Sequence, residues 1–511
     1  MAPLSSGGRL LTDVLAGPAA KSAVVLPETG IRVTYGELRR QVEAMAEALA
    51  ETGIRRGDRV AMALPNGLPA IVCFLAAATA GTAAPLNPAY RRDEFRFYLE
   101  DTGAKLLLVP ADGAEEARRA AEGRLPILTV EMTADGTVHL AGATGRRAVD
   151  ALSADDNALV LHTSGSTGRP KRVPLTHANL TISAANIVRC YALTADDVSL
   201  CVMPLFHVHG LVASTLATLA SGGTAVVPAK FSPLAFWRVA RDHGATWYSA
   251  VPTLHQLLLA RVDRGAPRPA GAERLRFIRS CSAALRPQVM HDLEAAFGVP
   301  VLEAYGMTEA AHQMSSNPLP PGERRAGSVG RGTDVRISII DEDARHLSAG
   351  ERGEVVIQGP NVTRGYENNP DANAASFANG WFRTGDQGVL DTHGYLTLVG
   401  RLKDLINRGG EKISPQEIDD VLLAHPAVAE AVVFGVPHVT WGEDVAAAVV
   451  LRPQAEAVPP TTESDLIAYC RERLADYKRP RRIHIIDAIP RTATGKIQRR
   501  AVAAEYAQTT S

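Results

Sequence analysis

From the N-terminus to about residue 300, short apolar runs alternate with stretches whose apolar residues recur at helical spacing. Strand-like runs lie at 59–64, 106–110, 157–163, 224–228, 245–250 and 275–281, with helix-length segments between many of them. Thr34-Tyr-Gly-Glu37 has the form of a capping box, and Leu38, Val42, Met45, Ala46 and Leu49 follow on one helical face. Leu68 to Ala80 is apolar all round but too short to span a bilayer, and it ends at Gly81. It reads as a buried helix. Alternation of this kind predicts an α/β domain with mainly parallel sheets.

The texture changes after about residue 325. Short strands such as VRISII and GEVVIQG are separated by Gly and Asp turns, which predicts a small β subdomain between about 325 and 400. From 404 onward, Ser414-Pro-Gln-Glu417 predicts a capped helix with Pro415 in its first turn. Strands near 428–434 and 445–451, a helix near 464–475 and a strand near 483–486 complete a small α+β unit. The expected fold is therefore α/β: a large N-terminal domain of parallel-rich sheets with helices and a small β subdomain, followed by a small α+β C-terminal domain.

Composition narrows the function. The chain has 511 residues, with Lys+Arg 54 against Asp+Glu 55, a net charge of -1. No overall basic excess is present to bind nucleic acid or a membrane surface, so anionic partners must be met locally. Cys73, Cys190, Cys201, Cys281 and Cys470 are odd in number and far apart, which argues against a disulfide framework or a zinc site. The start, MAPLSSGGRLLTDVLAG, lacks the form of a signal peptide. A cytoplasmic protein without membrane insertion is expected, and its oligomeric state stays open.

Chemistry concentrates in Leu161-His-Thr-Ser-Gly-Ser-Thr-Gly-Arg-Pro-Lys171, where an apolar strand runs into a loop of glycines and hydroxyls closed by a lysine. Glycines let backbone N–H groups approach phosphate oxygens, hydroxyls add donors and the ammonium adds charge. The loop is a phosphate cradle or an ordinary surface turn. Its order, G-x-x-G-x-x-K, is not that of a Walker A loop. Lysine is scarce, 8 residues against 46 arginines, yet Lys171, Lys403, Lys412 and Lys496 all fall in motif-like segments. Such placement marks positions where a guanidinium does not replace an ammonium.

With that loop, Glu303-Ala-Tyr-Gly-Met-Thr-Glu309, Trp381-Phe-Arg-Thr-Gly-Asp386, Gly400-Arg-Leu-Lys-Asp-Leu-Ile-Asn-Arg-Gly-Gly-Glu-Lys-Ile-Ser414 and Pro490-Arg-Thr-Ala-Thr-Gly-Lys496 resemble, in order, the core motifs of the acyl-CoA synthetase and adenylate-forming (AMP-binding) superfamily. The resemblance implies a two-step acid–CoA ligase using ATP, Mg2+ and coenzyme A, with small-molecule partners only. It implies an adenylation domain over 1–402 and a mobile C-terminal domain over 403–511 hinged at Lys403. Thr163, Ser164, Gly165, Ser166, Thr167, Gly168, Lys171, Ala283, Glu303, Ala304, Tyr305, Thr308, Asp386 and Arg401 are implied at ATP, with Tyr305 stacking on adenine and Asp386 accepting from the ribose hydroxyls. Glu309 and Thr167 are the implied Mg2+ ligands, and Lys496 is implied to reach the carboxylate and α-phosphate. Gly409, Gly410 and Lys478 are implied at CoA. Residues 471–500 carry ten Lys/Arg against three Asp/Glu, an excess suited to the CoA phosphates.

The acyl pocket implied by the resemblance contains His207, His209, Ser282 and His312 beside small Ala283 and Ala284, a polar set unsuited to a fatty tail. PLFHVHGL, SCSAAL and EAYGMTEAAHQMSSNPLPPG resemble oxalate–CoA ligases. Malonyl-CoA synthetases are the alternative, although the arginine they carry after a V-P-T turn is replaced here, where Leu257 falls. Other short- or medium-chain acyl-CoA synthetases, a stand-alone adenylation enzyme loading a carrier protein, and a nucleotide-binding regulator without turnover also remain open.

Overall fold

A computed structural model describes residues 9–143, 145–163, 170–262, 267–452, 461–492 and 497–506. By contact, the chain forms two units, Met1–Ile337 with Ile357–Phe382 and Ser338–Val356 with Arg383–Ser511. The first is α/β, as its alternating pattern predicts. Its nine-stranded sheet runs, in spatial order, Arg331–Gly332, His312–Ser316, Val301–Met307, Phe277–Ser280, Trp247–Ala250, Val198–Leu200, Thr224–Val226, Ser22–Val25 and Arg32–Thr34. The strands from Val301–Met307 through Ser22–Val25 are parallel neighbours, and the edge pairs are antiparallel. A seven-stranded sheet carries Asn157–Thr163 and, at its edge, the antiparallel strand Lys171–Thr176.

Local sequence explains the helices. Thr34 Oγ1 accepts from Glu37 N at 3.2 Å while Glu37 Oε2 accepts from Thr34 N at 2.8 Å, so the capping box forms, and helix Tyr35–Glu51 buries Leu38, Val42, Met45, Ala46 and Leu49. Helix Leu68–Ala80 is buried along nearly its whole length. It stops at Gly81, where a Cβ would come within 2.4 Å of Asp58 O. Among the described residues no helix is long and apolar enough to cross a membrane.

The second unit holds the α+β element predicted after residue 404. Strands Glu411–Ile413, Ile406–Arg408, Gly442–Leu451 and Val428–His438 lie side by side, and Arg482–Ile485 pairs with Gly442–Leu451. Helix Pro415–Leu423 begins where expected, but not with the expected cap. Ser414 Oγ instead donates to Val399 O at 2.6 Å, because a carbonyl of strand Leu396–Arg401 competes for the hydroxyl. The helix expected to reach residue 475 is Glu463–Arg471, ending before a turn in which Leu474 N donates to Cys470 O.

Candidate active site

In parallel α/β sheets the carboxyl ends of the strands face the crevice where ligands bind. Three neighbouring strands of the large sheet bring the expected acid and nucleotide residues there. Strand Phe277–Ser280 runs into Cys281-Ser282-Ala283, with Ser282 at φ 71. Strand Val301–Met307 carries Glu303, Ala304 and Tyr305, then a tight turn, Thr308–Ala310, presents Glu309. The chain returns as His312–Ser316 with Met307 opposite His312. Ala311 at φ 50 and His312 at φ 107 sit in left-handed backbone. Side chains held in that region are a strain that surrounding structure must impose, and such strain gathers at functional sites. Gly306 permits the return, since a Cβ there would lie 2.1 Å from His312 O.

His207 and His209 enter from a loop that leads into a π-helical segment, His209–Leu216. His209 N donates to His207 Nδ1 at 3.2 Å. A Cβ on Gly210 would lie 2.4 Å from Pro204 O, so glycine is needed for this loop to close. His209, fully buried, reaches Ser282 Oγ through Nδ1 at 3.0 Å and Ser249 Oγ through Nε2 at 2.6 Å. Its ring lies 5.1 Å from that of His312. Three expected acid-pocket residues, His209, Ser282 and His312, are therefore close together, with Arg279 behind them donating to His312 Nδ1 at 3.4 Å.

Burial, followed by the charge of Arg279, holds His209 and His312 well below the ordinary histidine range. Burial also lowers His177 and His255 to about 4. These histidines fold neutral, whereas in the unfolded chain they take up protons as pH falls through about 6.5. Stability is present above that value and is lost from about pH 6.5 down toward the folded values. Calorimetry between pH 7 and 5 is expected to show a falling Tm, and a Tm constant or rising over that window would contradict the assignment of neutral buried rings.

At the end expected to receive the nucleotide, Thr163 and Lys171 are partners across an antiparallel ladder. Ser164, Gly165, Ser166, Thr167 and Gly168 lie outside the described residues. Thr163 Oγ1 and Tyr366 OH both donate to Glu309 Oε1, at 3.4 and 2.8 Å. Lys171 Nζ sits 4.5 Å from the centre of the Tyr366 ring. Glu309 is buried, and among the described residues no cation pairs with it. A buried carboxylate in that state suits a metal ion that shares its ligands with phosphates. Among the described residues no cluster of three or more His, Cys, Asp or Glu side chains forms a metal site of its own. Glu303 Oε1 accepts from Leu285 N at 2.9 Å and so braces the turn that holds Ser282 and Ala283.

The second unit carries the remaining expected residues. Asp386 and Arg401 are partners across an antiparallel ladder and form an ion pair at 3.2 Å. Lys403 lies in the turn Leu402–Asp404, its ammonium held below the usual range by partial burial and then by Arg401. Gly409 at φ 60 and Gly410 at φ 94 form the two-residue turn of a hairpin, a backbone that strongly favours glycine. Lys478 pairs with Glu417 at 2.7 Å. Lys496 lies outside the described residues.

Arg279, Ser249, Tyr191, Gln313 and Tyr366 complete these clusters, although motif reading does not single them out. One signal was available: an arginine inside the strand-like run 275–281, where a charge is fully buried.

The family model "AMP-binding enzyme" matches residues 12–367, and "AMP-binding enzyme C-terminal domain" matches 417–496. The chain is 48% identical to an oxalate–CoA ligase of Arabidopsis thaliana, covering 93% of both chains. It is 42% identical to an oxalate–CoA ligase of Saccharomyces cerevisiae, covering 95% of both. The crystal structure of ATP-bound MatB from Rhodopseudomonas palustris superposes with a TM-score of 0.89 at 31% identity, over 99% of this chain and 100% of that one.

Proposed function

This chain belongs to the AMP-binding enzyme family and is an acyl-CoA ligase; on that premise we propose that the acid it activates is oxalate. The observation that carries the reading is the buried, polar set of His209, Ser282 and His312 backed by Arg279, where a fatty-acid ligase needs an apolar wall. Two relatives with 48% and 42% identity that are named oxalate–CoA ligases support it.

The chemistry runs in two steps. A carboxylate oxygen attacks the α-phosphorus of ATP and pyrophosphate leaves; the CoA sulfur then attacks the acyl carbonyl and AMP leaves. The first step joins two anions, so the protein's task is charge neutralisation and in-line placement rather than proton abstraction. Lys496 bridges the acid and the α-phosphate. Tyr305 stacks on adenine, Asp386 accepts from the ribose, and Arg401 holds Asp386 in place. The loop 163–171 receives the phosphates. Glu309 and Thr167 would hold Mg2+, which when bound offsets phosphate charge. Lys403 serves as the hinge that exchanges Lys496 for Gly409-Gly410 between the steps. Free CoA as the acceptor, rather than a carrier protein, is tested by thioester formation with CoA alone.

His312→Ala tests the acid site. It is expected to lower kcat/KM for oxalate by about tenfold or more while the KM for ATP stays within about twofold, because the lost donor faces the acid. Equal losses toward oxalate and ATP would remove His312 from the acid pocket.

A further inference from the structure

Arg279 is fully buried on strand Phe277–Ser280, and among the described residues it makes no ion pair. Every partner is neutral. Its Nε donates to Tyr191 OH at 2.8 Å, Nη1 to Ser249 Oγ at 2.9 Å, and Nη2 to Gln313 Oε1 at 3.0 Å and His312 Nδ1 at 3.4 Å. A guanidinium has five donors, no acceptor and no accessible neutral form. Each of those partners must therefore accept, and the direction of every further hydrogen bond follows.

Ser249 Oγ accepts from Arg279 and has one other side-chain partner, His209 Nε2 at 2.6 Å. Its hydrogen goes to that nitrogen, since a buried hydroxyl proton left without an acceptor is strongly unfavourable. With Nε2 accepting, the proton of the neutral His209 ring sits on Nδ1 and is donated to Ser282 Oγ, 3.0 Å away. Ser282 then directs its own hydrogen elsewhere. In His312 the Nδ1 accepts from Arg279, so its proton sits on Nε2. The result is two outward donors, Ser282 O–H and His312 Nε2–H, with no side-chain acceptor among the described residues.

We propose that Arg279 is the positioning residue that sets the hydrogen-bond polarity of the acid pocket and selects acids bearing a second negative charge. The proposal rests on the reading that His209, Ser282 and His312 hold the acid. A group with acceptors only, a carboxylate or sulfonate, satisfies both donors and supplies the counter-charge that the buried guanidinium lacks. A hydrocarbon tail does neither, and leaves a buried cation uncompensated.

The test compares wild type with Ser249→Ala, Arg279→Lys and Arg279→Met, each checked for folding by circular dichroism. The probes are oxalate, malonate and sulfoacetate against acetate and hexanoate. Ser249→Ala, the mildest change, cuts the link between Arg279 and His209 without removing charge. Both Ser249→Ala and Arg279→Lys are expected to raise the KM for oxalate by about tenfold or more, the equivalent of one lost hydrogen bond, with the KM for ATP within about twofold. In Arg279→Met the histidines lose a nearby cation while their burial remains, so they take up protons more readily and the acid-side limb of the oxalate kcat/KM profile moves to higher pH. A purely structural role moves all acids equally and leaves the pH profile unchanged, and that outcome overturns the proposal. So does an unchanged oxalate KM in folded Ser249→Ala and Arg279→Lys. If wild type prefers malonate or sulfoacetate, oxalate is wrong but Arg279 is tested with that dianion in the same way. If it prefers acetate or hexanoate, both readings fall.

Discussion

Lys496→Ala is expected to slow acyl-adenylate formation by roughly 10²–10³-fold or more, the range seen when one preorganised donor to a developing charge is removed. The same variant, given preformed acyl-adenylate and CoA, is expected to make thioester at nearly the wild-type rate. The asymmetry follows from the charges: two anions approach each other only in the first step. The sequence has few lysines, 8 against 46 arginines, and one of them ends the motif Thr494-Gly495-Lys496. Pyrophosphate release and single-turnover thioester formation measure the two halves separately. Equal losses in both would remove Lys496 from its role.

Glu309→Gln carries the second large effect. The amide keeps an oxygen for Tyr366 OH and Thr163 Oγ1, which now meet Glu309 Oε1 at 2.8 and 3.4 Å, so the turn Thr308–Ala310 is expected to survive with a Tm close to wild type. What disappears is a buried negative charge that pairs with no cation among the described residues. Adenylation is expected to fall about 10²-fold, with the half-saturating Mg2+ concentration raised by about tenfold or more. Wild-type adenylation at limiting Mg2+ would show that the carboxylate serves the fold alone.

The sequence pattern conveyed the fold where burial has a simple period. The runs at 157–163 and 59–64 became strands Asn157–Thr163 and Arg59–Met62, and the apolar segment 68–80 became helix Leu68–Ala80. It failed where partners are distant in sequence. The excess of basic residues in 471–500 is met by acids from elsewhere: Lys478 by Glu417 at 2.7 Å, Arg491 by Glu430 at 2.7 Å, Arg499 by Asp419 at 2.7 Å, and Arg481 by Asp444 at 3.6 Å. Within the segment Arg479 also pairs with Asp476. A count along the chain therefore overstates the positive field available to CoA.

The candidate site shows the same division. His209, Ser282 and His312 are separable in sequence because histidine and serine are unusual in an expected pocket wall. Arg279 is hidden among the residues of a strand-like run. Its contacts to Tyr191, Ser249 and Gln313 span 88, 30 and 34 positions and become visible only when the strands are side by side. Left-handed backbone at Ser282 and His312 is equally invisible, because neither residue is a glycine.

The acid is identified by a CoA-thioester screen of the intact protein with ATP and Mg2+ across oxalate, malonate, acetate, hexanoate and coumarate, each product determined by mass. Oxalyl-CoA, formed with AMP and pyrophosphate, is expected at a kcat/KM about a hundredfold or more above acetate and hexanoate, since a pocket built to hydrogen-bond a polar group rejects a substrate that lacks it. Clear preference for hexanoate or a longer acid would contradict the oxalate assignment and leave the acyl-CoA ligase intact.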